Sequence, residues 1–95
     1  MAEWGDTRVS IADDVAWTSS GSRIVAMDLA DPGAAPYVLE ASAAVIWSEI
    51  ADEGPIAAAD LLERLSDVFG MGVDDIGGDV EALVAELIDR QLLAA

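Results

Sequence analysis

The spacing of apolar residues changes near residue 40. Before that point apolar and polar residues alternate, which is typical of short strands with one buried face. The alternating stretches are residues 9–17 (one or two strands), 23–29 and 37–40. Two turn signals separate them: a Ser/Gly-rich stretch at 18–22 and a Pro-Gly pair within 31–36. The pattern therefore predicts a small three-stranded antiparallel meander.

From residue 41 onward apolar residues recur every three or four positions, as they do on the buried side of a helix. Ser42 is the predicted N-cap of the first helix, and Gly54 with Pro55 ends it. The three predicted apolar stripes are Ala43, Ile46, Trp47 and Ile50; Leu61, Leu62, Leu65, Val68 and Phe69; and Ile76, Val80, Leu83, Val84, Leu87 and Ile88. Trp17 and Trp47 are both predicted to be core residues, since each lies on an apolar stripe.

These elements predict an α+β fold of the winged helix-turn-helix type, with a three-stranded antiparallel N-terminal sheet followed by three helices. The chain has 95 residues, of which 54% are hydrophobic, and a mean hydropathy of +0.39. That is enough apolar material for one core and too little length for two. We expect residues 1–8 to form a flexible N-terminal tail and residues 9–95 to form the domain.

The net charge of −15, from four Arg and nineteen Asp and Glu, argues against nucleic acid as a partner. So acidic a surface repels a phosphate backbone. The fold permits a DNA-binding winged-helix protein, but the charge argues against that reading as well, because its reading helix would carry carboxylates.

The amino-acid inventory also excludes most catalytic chemistry. The sequence contains no His, Cys or Lys, so it offers no Ser-His-Asp triad, thiol nucleophile, Schiff base or ordinary zinc site. The adjacent carboxylates Asp13-Asp14, Asp52-Glu53 and Asp74-Asp75 do not converge on one point and read as caps and solvated loops. We therefore expect a non-catalytic protein with no cofactor and no metal.

The sequence gives no sign of membrane insertion or export. Its apolar stretches are too short to span a bilayer, and residues 1–6 lack the basic start and apolar run of a signal peptide. We expect a cytoplasmic protein without a membrane partner.

Residues 23–29 (RIVAMDL) and 37–47 (YVLEASAAVIW) resemble the core of the PqqD-like family, and residues 73–93 are similar to that family's last helix and closing apolar pair. The resemblance extends over residues 9–93 and rests on the order and spacing of elements. The family comprises recognition elements for ribosomally synthesised and post-translationally modified peptides (RiPPs), which stand alone or are fused to modifying enzymes.

The resemblance implies that the protein binds the leader segment of a precursor peptide. The leader would add as a strand to the third strand of the meander, in the groove against the third helix, by β-augmentation. The residues implied for this site are Pro36, Tyr37, Val38, Leu39, Glu40, Asp79, Ala82, Leu83 and Glu86. Because Pro36 has no N–H, we expect the leader to pair chiefly with residues 37–39.

The resemblance also implies a second partner, a separate maturation enzyme that receives the bound precursor. This would be a lasso-peptide leader peptidase with its cyclase, or a radical-SAM enzyme. A bare strand edge invites self-association, so a homodimer through that edge is a further expectation for the free protein. We also hypothesise that Asp79 and Glu86, which lie on the same helical face at i and i+7, pair with basic leader residues.

Two alternatives stay open from the residues alone, an acidic carrier protein and a general protein-interaction domain. A carrier would present Ser within an Asp-Ser-Leu context, which neither Ser42 nor Ser66 matches.

Overall fold

The computed structural model describes residues 4–95, and these have an α+β architecture in which a three-stranded antiparallel meander precedes three helices. In chain order the elements are a 3-10 helix (Trp4–Asp6), β1 (Arg8–Ile11), β2 (Val15–Ser20), β3 (Arg23–Asp28), β4 (Tyr37–Glu40), α1 (Ser42–Glu53), β5 (Ile56–Ala57), α2 (Ala58–Phe69), α3 (Val73–Asp89) and β6 (Leu93–Ala94). The predicted fold class is confirmed.

The meander has the strand order β2-β3-β4. A two-residue turn joins β2 to β3, and its Gly21 has a φ of 64°, a conformation that glycine adopts without strain. The longer turn between β3 and β4 contains the Pro-Gly pair. In the register of β3 and β4, Ile24 lies opposite Leu39 and Ala26 lies opposite Tyr37.

A second, smaller sheet has the order β5-β1-β6 and was not predicted. Ile11 of β1 pairs with Leu93 of β6, and Val9 pairs with Ile56 of β5. The segment predicted as one or two strands is therefore two, β1 and β2, which belong to different sheets. This second sheet fixes the end of α3 beside the start of the chain.

The core lies between the inner face of the meander and the helical stripes. Ile24, Ala26 and Leu39 supply the sheet side, and Trp47 is fully buried at the centre of α1. Most predicted stripe positions on the helices are buried, but Ala44 is buried where Ala43 was predicted, and Val68, predicted on the stripe of α2, is 53% exposed. The buried helical residues besides Trp47 include Ala44, Ile46, Ile50, Leu61, Leu65, Ile76, Val80, Val84 and Leu87. α1 and α2 are further joined by Arg64, whose guanidinium lies 3.0 Å from Glu49 and 3.1 Å from Glu53.

Two further predictions about single residues are wrong. Trp17 is not a core residue: its side chain is on the inner face and meets Trp47 edge-to-face at 6.1 Å, yet it is 41% exposed because β2 is an edge strand with no neighbour on its outer side. Ser42 is not the N-cap but the first residue of α1. Ala41 occupies the cap with φ 54° and ψ −127°, and no side chain caps the helix.

The stretch predicted as a tail contains ordered elements. Residues 1–3 lie outside the described part of the chain. Trp4–Asp6 is a 3-10 helix whose Trp4 packs against the core, and Arg8 already belongs to β1. Across residues 4–95 no helix is long and apolar enough to cross a membrane.

Candidate functional site

β4 is an edge strand of the meander. The hydrogen-bond pairing of the sheet shows which of its backbone N–H and C=O groups point toward β3 and which point away. The Leu29 N–H, just beyond β3, donates to the Asp14 carbonyl at 2.7 Å, on the β2 side. Backbone groups alternate in direction along an antiparallel strand, so those of Ile24 and Ala26 point toward β4. The residues opposite them, Tyr37 and Leu39, therefore complete the ladder with β3.

The backbone groups of Val38 and Glu40 consequently point away from the sheet. Pro36 falls on the same alternation, so the N–H that it lacks is one that would have pointed to the free edge. An added strand would therefore find both the N–H and the C=O of Val38, the N–H of Glu40, and no donor at residue 36. Within the range 37–39 that the sequence predicts for leader pairing, only Val38 directs its backbone groups to the free edge, because those of Tyr37 and Leu39 pair with β3.

The side chains of β4 alternate between two environments. Leu39 is buried in the core, and its backbone groups pair with β3. Val38 points to the opposite side of the sheet and is 48% exposed. Tyr37 is half-buried on the inner side and reaches across to α3.

Tyr37 connects β4 to α3 through a small polar cluster. Its hydroxyl donates to Oε2 of Glu86 at 2.6 Å, and the Arg90 guanidinium stacks 4.7 Å from the centre of its ring. Arg90 also lies 3.8 Å from Glu86, so the carboxylate has two partners. The hydrogen bond to Glu86 is the main reason that the pKa of Tyr37 is raised, with desolvation and the charge of Glu86 adding to it and Arg90 opposing it.

β4 and α3 run in opposite directions, with Tyr37 facing Glu86, and a cavity opens near each end of β4. A cavity of about 400 Å³ opens where β4 begins, between the turn at 31–36 and the end of α3. One of about 190 Å³ opens where β4 gives way to α1, between Ser42, Phe69 and Asp79. The first has a polar lining that includes Asp28, Asp89 and Arg90, whereas the second is mainly apolar. A peptide bound along β4 would therefore lie beside a polar cavity at one end and a mainly apolar cavity at the other.

The predicted α3 residues lie at i, i+3, i+4 and i+7 and share one face of the helix. Glu86 meets Tyr37 at the start of β4, and Asp79 lines the cavity near the end of β4. Leu83, half-buried against the core, lies between them along the helix, and Ala82 is exposed. The structure therefore brings one residue of each predicted half into direct contact, Tyr37 on β4 and Glu86 on α3.

Sequence reasoning missed Arg90, which organises the cluster. Arg90 directly follows the last residue of α3 and lies four residues after Glu86, and that spacing is the one signal that could have identified it. Sequence reasoning also missed Phe69 and Met71, which line the apolar cavity from the end of α2. Within residues 4–95 no group of three or more carboxylates is placed to hold a metal ion.

One family model matches the part of the chain that contains β4 and α3. The model described as coenzyme PQQ synthesis protein D (PqqD) matches residues 23–93. The chain belongs to the PqqD family. The match begins at β3 and includes β4, the three helices and Leu93. Both β4 and α3 therefore lie within it. Neither the comparison with curated proteins nor that with solved structures found a significant match.

Proposed function

We propose that this PqqD-family protein binds the leader segment of a ribosomally synthesised precursor peptide as an additional strand on β4, in the groove against α3. The observation that carries the proposal is the open edge of β4, with the backbone groups of Val38 directed away from the sheet. Main-chain hydrogen bonds to an edge supply affinity for any extended peptide, and neighbouring pockets select among sequences. The two unlike cavities beside β4 are suited to that selection.

β2 is the other open edge of the meander and the main rival site. β4 is favoured for two reasons. It faces α3 across a groove, and both β4 and α3 lie within residues 23–93, which the family model covers, whereas β2 precedes them. A function common to the family would use elements common to the family.

The structure refines the electrostatic hypothesis for α3. Glu86 already accepts a hydrogen bond from Tyr37 and lies beside Arg90, so its charge is partly compensated. Asp79 has no ion-pair partner among the described residues and lines the apolar cavity. Asp79 is therefore the stronger candidate to meet a basic leader residue.

The proposed role is non-catalytic delivery to a separate maturation enzyme. The amino-acid inventory, without His, Cys or Lys, supports a binding role over a chemical one. The receiving enzyme would be a lasso-peptide leader peptidase with its cyclase, or a radical-SAM enzyme. In the absence of a leader the same edge is open to a second copy of the chain, which the like charges of −15 oppose.

A fluorescence-anisotropy titration tests the proposal directly. The probe is the labelled N-terminal half of a candidate precursor peptide, chosen from the short reading frames near the gene, and the labelled C-terminal half is the control. We expect saturable binding of the N-terminal half only. If folded protein binds neither half, or binds only the C-terminal half, leader recognition is refuted.

A further inference from the structure

The outward side of the meander carries an apolar surface that the leader site does not use. The register places Ala16 beside Met27, and Val25 between Thr18 and Val38. Side chains alternate between the two faces of a sheet, and the opposite face holds Ile24, Ala26 and Leu39 in the core. We call this surface the outer face; it consists of Ala16, Thr18, Val25, Met27, Leu29 and Val38.

The outer face exposes large apolar side chains to solvent. Met27 is 39% exposed and Leu29 is 60% exposed, and Val38 is open as described above. A shallow depression of about 230 Å³, with an almost wholly apolar lining, lies along β2 and β3. Exposed apolar residues scattered singly need no explanation, but a contiguous set on one sheet face is a feature of interaction surfaces.

The outer face is also electrically neutral, although the chain carries −15. The charged side chains of β3 and β4 that share its direction are Arg23 and Glu40, which pair with each other at 3.5 Å. Acidic residues flank it, with Asp13 and Asp14 before β2 and Asp31 after β3. The surface is thus a neutral apolar area with acidic surroundings.

We propose that the outer face is the docking surface for the separate maturation enzyme, which would present an apolar patch rimmed by basic residues. This inference rests on the proposed function, because it supplies the second contact that delivery requires. The acidic surroundings favour a rim of the opposite charge. They oppose a second copy of this chain, whose own surroundings would carry the same sign.

The outer face adjoins the free edge of β4. The side chain of Val38 belongs to the outer face, and its backbone groups point to the free edge of β4. A leader strand added to β4 would extend the same sheet, and its outward side chains would enlarge the outer face. The enzyme would then contact both, so the leader should strengthen enzyme binding.

The test measures binding of a purified candidate maturation enzyme, a lasso-peptide leader peptidase or a radical-SAM enzyme from the same organism, to wild-type protein and to two variants. Met27→Glu introduces a charge into the centre of the outer face. Val68→Glu makes the same kind of change at an exposed apolar position on α2 and is the matched control. We expect Met27→Glu to weaken enzyme binding by about tenfold or more, because a buried unpaired charge is costly at an interface. Val68→Glu should bind as the wild type does, and both variants should retain leader affinity.

Three results would overturn the inference. Unchanged enzyme binding by folded Met27→Glu would place the interface elsewhere. Loss of leader affinity in Met27→Glu would make the outer face part of the leader site. A wild-type dimer in sedimentation that Met27→Glu dissolves would assign the surface to a second copy. The leader titration on wild-type protein, made separately, shows whether the proposed function has failed as well.

Discussion

At the scale of single residues, Tyr37 is the side chain that joins the two sides of the candidate site. It lies on β4, its hydroxyl partner Glu86 lies on α3, and Arg90 completes the cluster one turn later. The hydrogen bond is charge-assisted, because a neutral phenol donates to a carboxylate. Loss of the phenolic proton would instead place two anions against each other.

We therefore predict that Tyr37 titrates above the ordinary tyrosine pKa of about 10, as the direction of its pKa shift indicates. It is the sole tyrosine, so the ultraviolet absorbance of tyrosinate reports it alone. The raised pKa contributes stability that is fully present below the unfolded-state pKa and is lost as the pH rises through the folded-state value, above about pH 10.

Glu86→Gln is the variant that checks the cause. Removing the carboxylate charge should bring the Tyr37 midpoint down toward its ordinary value, with the fold monitored by circular dichroism. Equal midpoints in wild-type protein and Glu86→Gln would show that the Glu86 carboxylate does not raise the pKa of Tyr37 in solution.

At the scale of elements, the corner between β4 and α1 holds the candidate edge in place. Ala41 forms that corner with a φ of 54°, a region that L-residues enter at a cost and glycine enters freely. The corner directs Leu39 into the core immediately before α1 begins. Its conformation therefore determines how β4 meets the helices.

Ala41→Gly should raise the free energy of unfolding by about 1 kcal/mol, since relief of strain exceeds the added entropy of the unfolded chain. Ala85→Gly, the same change at an exposed position within α3, should lower it by about 1 kcal/mol. Urea denaturation measures both. A destabilising Ala41→Gly would mean that residue 41 does not adopt this conformation.

The elements also show what the sequence could and could not predict. Long periodic stripes identified the three helices correctly, because four or more apolar residues share each buried side. The strands β5 and β6 have two residues each, too few for any period to be visible, so the second sheet was missed. Trp17 was placed in the core because alternation identifies the inner face but not whether a strand lies at an edge.

The candidate site was also predictable only in part. The open edge at β4 followed from the order of strands and the resemblance, and Glu86 was named on α3. The contact between Tyr37 and Glu86 joins residues 49 positions apart, which no local spacing encodes. Arg90 and the lining of the apolar cavity depend on how α1, α2 and α3 pack together, which only the tertiary structure shows.

At the scale of the whole molecule, negative charge dominates the surface. Among residues 4–95, three of the four arginines are in ion pairs, at Glu40, at Glu49 with Glu53, and at Glu86. Most of the nineteen carboxylates are therefore uncompensated, and a leader with basic residues would be steered toward the protein.

Leader affinity should consequently fall as salt is raised, because exposed charges are screened beyond about 10 Å at 0.1 M ionic strength. Asp79→Asn should reduce that salt dependence, whereas Asp67→Asn, the same change on α2, should leave it as in the wild type. Anisotropy titrations over a salt series provide the measurement. An affinity independent of salt would refute the electrostatic contribution without affecting strand addition.

The central claim, strand addition at β4, is tested most directly by a pair of proline variants. Val38→Pro removes an N–H that points to the free edge of β4, and Ser19→Pro does the same at the free edge of β2, since Ser19 lies opposite Ile24, whose backbone faces β4. Neither N–H takes part in the β2–β3–β4 ladder, so both variants should fold, which circular dichroism verifies.

The measurement is the affinity of each variant for the labelled leader. We predict that Val38→Pro weakens binding by about tenfold or more, through the lost donor and the steric obstruction of the ring, while Ser19→Pro binds as the wild type does. Wild-type affinity in folded Val38→Pro, or a loss confined to Ser19→Pro, would contradict leader binding at β4.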